Sequence, residues 1–161
     1  MISTERHTEY ARGFLALGLL AESSRELGKI ARKDRSLPIV LATRIDLHTQ
    51  EKRWARAIAA AEELTRKIPE MEAGWIGWAY ALRELNRIEE ALALLTRAET
   101  QHRHRSALVH YNLACYLSLL GDRTKATARL KRAFRLDPAF KNESLHDKDL
   151  EPLWNDIRSM P

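Results

Sequence analysis

Apolar residues recur along this chain at three- and four-residue spacings, and the whole pattern returns after every 34 or 35 positions. The small residues Ser23, Ala57, Ala91 and Ala126 fall 34, 34 and 35 apart. Four residues beyond each stand Leu27, Ala61, Leu95 and Leu130, and three further on stand Ile30, Leu64, Ala98 and Ala133. A spacing of i, i+4, i+7 places these side chains on one helix face. The same helix face is therefore written four times.

A second set precedes each of these helices. Tyr10, Arg44, Trp78 and Leu113 stand in register, followed by Ala11, Ile45, Ala79 and Ala114. Arg44 is the misfit among them, a cation where the other copies carry a large apolar or aromatic group. Breakers fall where the period demands turns: Gly18, Asn86-Arg87 and Gly121-Asp122 within copies, and Pro38, Pro69 and Asp137-Pro138 near their ends. Each copy reads as helix, short turn, helix.

The third copy, GWIGWAYALRELNRIEEALALLTRA, and the fourth, YNLACYLSLLGDRTKATARLKRAFRLDP, resemble the tetratricopeptide repeat, a helix-turn-helix unit of about 34 residues. Trp75, Ala79, Ala91, Leu95 and Ala98 carry the match in one; Leu113, Ala114, Gly121, Ala126, Ala133 and Pro138 carry it in the other. The second copy is recognisable through RWARAIAAAEELTRKIP, and the first is degenerate, with Ser23 in place of Ala. The resemblance implies an all-α, right-handed helical solenoid of four helix pairs with no strand. Repeats at 4–37, 38–71, 72–105 and 107–140 cover about 85% of the chain. The segment 141–161 is the cap of a single domain 1–161, with a helix near 147–158 whose Leu150, Leu153, Trp154 and Ile157 form one apolar stripe. A solenoid needs such an end, because its last repeat otherwise exposes the face a neighbour would bury.

Composition agrees. The 161 residues are 45% hydrophobic and 30% charged with six Gly and five Pro, which fits a folded, helix-rich chain. Cys115 is the single cysteine and cannot pair within the chain, and no basic-then-apolar leader opens the sequence, so the expected location is cytoplasmic. The most apolar run, Phe14 to Ala21, is far shorter than the roughly 20 residues that span a bilayer. The net charge of +5 is uneven, with nine basic and two acidic residues between Arg97 and Arg135. That basic segment 97–135 supports a second reading, a binder of nucleic acid or another polyanion. A protein partner is favoured, because stacking aromatics and base-reading groups are not clustered with the basic run.

In a tetratricopeptide stack the first helix of each repeat lines the groove, so the resemblance implies a binding surface made from Arg12, Asp46, Ile76, Tyr80, Arg83, Leu108, Tyr111, Asn112 and Cys115. Thr8, Ala42, Thr43 and Gly77 belong to the same inward set. Aromatic anchors with a few polar handles suit capture of a peptide or protein segment. The family's clamp for a C-terminal carboxylate is not matched, since Ala42, Asp46 and Gly77 stand where basic or amide groups would be wanted and only Asn112 is suitable.

Catalysis finds no support. The chain has no Gly-rich phosphate loop and no nucleophile motif, and its acidic residues are spread along helix surfaces beside Arg or Lys. His102, His104 and His110 with Cys115 have poor spacing for zinc, and Arg97 and Arg105 would oppose a metal ion. No cofactor or metal is expected. The reading is a non-catalytic scaffold or adaptor, its partner and its oligomeric state left open.

Overall fold

A computed structural model describes residues 2–101 and 105–160. Among them are ten α-helices, two 3₁₀ segments and no strand. The helices are α1 (Thr4–Ala16), α2 (Leu20–Lys29), α3 (Pro38–Gln50), α4 (Trp54–Lys67), α5 (Glu72–Glu84), α6 (Ile88–Gln101), α7 (Ala107–Leu119), α8 (Arg123–Leu136), α9 (Ala139–Ser144) and α10 (Trp154–Ser159). Two compact units result, Met1–Leu85 with α1 to α5 and Asn86–Pro161 with α6 to α10.

Four tight turns join α1 to α2, α3 to α4, α5 to α6 and α7 to α8, and each needs one residue in the left-handed region. Gly18 (φ 72°), Lys52 (φ 55°), Asn86 (φ 59°) and Gly121 (φ 80°) supply it. Glycine and asparagine tolerate this conformation; at Lys52 the Cβ is strained. That turn carries no sequence signal for the same reason.

In the first unit α3 is the centre, packed against α1, α2, α4 and α5. It buries two faces at once. Val40 and Leu47 join Ala11, Leu15, Leu27 and Ile30 in one cluster. Leu41 and Ile45 join Ala60, Ala61 and Leu64 in another, with Trp78 partly buried against it. A Cβ on Gly77 would lie 2.3 Å from Ile45 Cγ2, so α5 meets α3 at a distance only glycine allows. Trp75 is buried and its Nε1 donates to the Pro69 carbonyl at 2.7 Å.

In the second unit α7 holds the corresponding place, against α6, α8 and a 3₁₀ segment at Lys148–Leu153. It is buried nearly all round, from Val109 through Ser118, as an apolar helix without a polar face must be. Ala91 and Ala126 are fully buried, as are Ser23 and Ala57 in the first unit. The residues that define the period are thus those with no room for anything larger.

The C-terminal segment is helical, but it is built from α9, the 3₁₀ segment and α10 in place of one helix near 147–158. Pro152 explains the break, since it has no N–H to donate to an α-helical ladder and its ring would crowd the preceding turn. Leu150, Leu153 and Ile157 are fully buried nonetheless. Trp154 stays half-buried, its Nε1 donating to the Ser144 carbonyl at 3.0 Å.

Candidate functional site

The residues read from the sequence as a groove divide between the two units and behave differently in each. In the first unit Ile76, Tyr80 and Arg83 share one face of α5 by their spacing. Tyr80 remains 40% exposed, with its ring edge-on to Trp54 at 6.1 Å between centroids. That contact fixes the ring and leaves area for a partner. Arg83 is half-buried and pairs with Glu84 at 2.6 Å. Asp46, on α3, reaches solvent, yet its surroundings remove enough water from the carboxyl to raise its pKa, while the Arg12 guanidinium on α1 pulls the other way. A charged pair and an aromatic anchor are therefore presented by the first helices of this unit.

Thr8 and Thr43 do not join them. Both are buried, and their hydroxyls donate back to the Thr4 and Ile39 carbonyls at 2.7 and 2.8 Å. Ala42 and Gly77 are likewise packing positions, half-buried within the same unit.

In the second unit the expected ligand surface is covered by the chain itself. Tyr111 is 8% exposed and Cys115 3% exposed. The Tyr111 hydroxyl donates to Asp147 Oδ2 at 2.8 Å, and the Cys115 thiol reaches the same oxygen at 3.6 Å. Phe140 lies against the Tyr111 ring with centroids 4.8 Å apart. Burial, the neighbouring thiol and the Asp147 carboxylate push the phenol pKa upward, so Tyr111 keeps its proton and stays a donor. Asn112 folds its amide back to the Leu108 carbonyl at 2.9 Å, and Leu108 is half-buried beside it. The period alone places Tyr111 on a first helix and Phe140 at the end of the fourth repeat, but Asp147 lies beyond the repeats and has no signal in them.

The basic segment 97–135 also looks different in three dimensions. Arg123 pairs with Asp156 at 2.7 Å, Lys125 with Asp122 at 2.8 Å, and Arg129 with Glu99. Glu99 and His110 are buried, and Arg129 faces both. Arg129 is therefore half-buried within the unit, although its helix position reads as an outer charge. Three of the cations meet carboxylates of this chain, which lowers the positive field available to a polyanion.

His102 and His104 lie outside the described residues. Among the described residues no group of three His, Cys, Asp or Glu side chains could hold a metal ion, and no helix is long and apolar enough to cross a membrane.

No protein-family model matches the chain, and no curated protein matches it in sequence. Solved structures do. MamA MSR-1 C2 superposes with a TM-score of 0.69 at 17% identity, over 86% of this chain and 79% of that one. A mutant form of MamA superposes with a TM-score of 0.65 at 16% identity, over 84% and 78%. MamA is a tetratricopeptide-repeat protein. Identity this low speaks to fold alone. Together with helix starts at Thr4, Pro38, Glu72 and Ala107, the likeness shows that this chain has the all-helical tetratricopeptide-repeat fold.

Proposed function

We propose that the chain is a non-catalytic scaffold that holds a protein or peptide segment on its first-helix surfaces. The observation that carries this reading is the seating of residues 140–153 on α7, where Tyr111 stacks on Phe140 and donates to Asp147. A first helix of this fold is here gripping a polypeptide segment through an aromatic ring and one hydrogen bond, which is the chemistry of peptide capture performed within one chain. In the first unit the corresponding surface holds Arg12, Asp46, Ile76, Tyr80 and Arg83, with Tyr80 40% exposed. Tyr is suited to the task because it offers large contact area with few rotors to freeze.

The fold of the structural neighbours supports a role without catalysis. The test is affinity capture from the native cell with the intact chain. Tyr80→Ala should lose the co-purifying proteins, whereas Arg132→Glu on α8 should retain them. Recovery of nucleic acid, lost with the α8 reversal and with added salt, would favour the polyanion reading.

A further inference from the structure

Arg44 stands where the other repeats carry Tyr10, Trp78 and Leu113, and the structure shows what the exchange produces. At this place Leu113 is buried and Trp78 partly buried, while Tyr10 is exposed. Arg44 instead borders a cavity of about 490 Å³ within the first unit, between α2, the link to the second repeat, α3 and α4. Ser24, Arg35, Ser36, His48, Arg56 and Glu63 are its other polar neighbours, and leucines of α2 and α3 form an apolar wall.

Three guanidinium groups from three segments thus line one cavity with a single carboxylate. Among the lining side chains positive charge therefore exceeds negative. Arg44 Nε is sealed from solvent and has no hydrogen-bond partner among the described residues. Burial first, and then the Arg35 charge, disfavour the Arg44 cation, with Glu63 opposing too weakly to reverse the effect. Glu63 is also drawn toward Lys67 at 4.0 Å. Arg35 is held in place, its Nε donating to the Ile30 carbonyl at 3.0 Å. Burial pushes the His48 pKa down, and its Nδ1 faces Glu51 at 3.2 Å.

We propose that this cavity binds a small organic phosphate, its phosphate group seated on Arg44 between Arg35 and Arg56. Phosphate is favoured over carboxylate because one tetrahedral dianion can accept from several guanidinium forks, whereas a planar monoanion matches one. A free small molecule is favoured over a phosphorylated polypeptide because the volume lies within the usual range for small-molecule pockets, about 300–1,000 Å³, and the leucine wall suits an organic moiety. The site is separate from the surface of Tyr80 and from the partner proposed there.

Calorimetric titration of the full chain with phenyl phosphate, against inorganic phosphate, benzoate, chloride and a short phosphoserine peptide at matched ionic strength, tests the assignment. Phenyl phosphate should bind one to one and more tightly than inorganic phosphate. Arg44→Leu, which restores the apolar residue of the fourth repeat, should weaken binding by at least about tenfold while the melting temperature is kept or raised. Arg56→Gln, at an exposed position that does not test folding, should weaken it several-fold with the melting temperature unchanged. The proposal is overturned by any of four results: no saturable binding of phenyl phosphate up to about 10 mM, equal affinity in both variants, benzoate binding as tightly as phenyl phosphate, or binding confined to a phosphoserine peptide.

Discussion

The Tyr111 hydroxyl and the Asp147 carboxylate meet at 2.8 Å across 36 residues of chain, joining a first helix to the C-terminal segment. The hydrogen bond, made to a carboxylate, contributes about 1.5–3 kcal/mol, and burial of Leu150, Leu153 and Ile157 contributes about 1.5–3 kcal/mol each. Truncation before Glu143 should therefore lower the melting temperature strongly and promote self-association, read by light scattering, while Tyr111→Phe should cost only about 1.5–3 kcal/mol in urea unfolding. A truncated chain that stays monomeric and equally stable would show that the segment rests on α7 without stabilising it.

Ser23 occupies the fully buried position that is Ala57, Ala91 and Ala126 elsewhere, and its Oγ has no partner among the described residues. Removing a buried hydroxyl that makes no hydrogen bond recovers its desolvation cost. Ser23→Ala should stabilise the protein by roughly 1 kcal/mol in denaturant titration. A loss of stability would mean that Ser23 is satisfied in solution by a group outside the described contacts.

Ala91 and Ala126 are 0% exposed, so Ala91→Asp or Ala126→Asp places a charge in a close helix contact and should unfold the chain. Circular dichroism reads the outcome directly, and a fully folded variant would mean that the repeat register is wrong. Arg129→Glu should also be severe, about 3–5 kcal/mol, because it sets a second carboxylate beside the buried Glu99. Were Arg129 a solvated outer charge, the reversal would be close to neutral.

His48 gives a pH dependence with a definite sign. Its pKa lies below the ordinary histidine value, chiefly through burial, with Arg56 and Arg44 adding to the effect and Glu51 opposing it. Below about pH 6.5 the unfolded chain takes up this proton before the folded one, so stability is lost as pH falls. The stability of the intact protein relative to His48→Gln should decline between about pH 7 and 5 and be flat above. A constant difference across that range would show that His48 protonates equally in both states.

The period of small residues made the eight repeat helices legible, because positions where two helices touch tolerate nothing larger and so recur visibly. Breaker chemistry marked three of the four internal turns; Lys52 was invisible because its conformation is imposed by the fold against its own preference. The C-terminal segment was legible as an apolar stripe but not as three short pieces, since one proline decides the difference. Periodicity places Tyr80 and Tyr111 on equivalent helices, but the covering of Tyr111 by the C-terminal segment depends on Asp147, which lies beyond the repeats. Arg44 was conspicuous as an irregularity, and only the surrounding cavity gives that irregularity a chemical meaning.

The fit of Gly77 against Ile45 bears on how such a chain can be rearranged. Ile45 fills a place that is Ala11, Ala79 or Ala114 in the other repeats, and Gly77 is the reduced counterpart that receives it, where the others have Glu9, Thr43 or Asn112. Bulk has been added to one repeat and subtracted from its successor. The repeats are consequently not interchangeable modules: the second accepts only the third behind it, and a chain reassembled in another order would collide at this one joint even though every copy were itself intact.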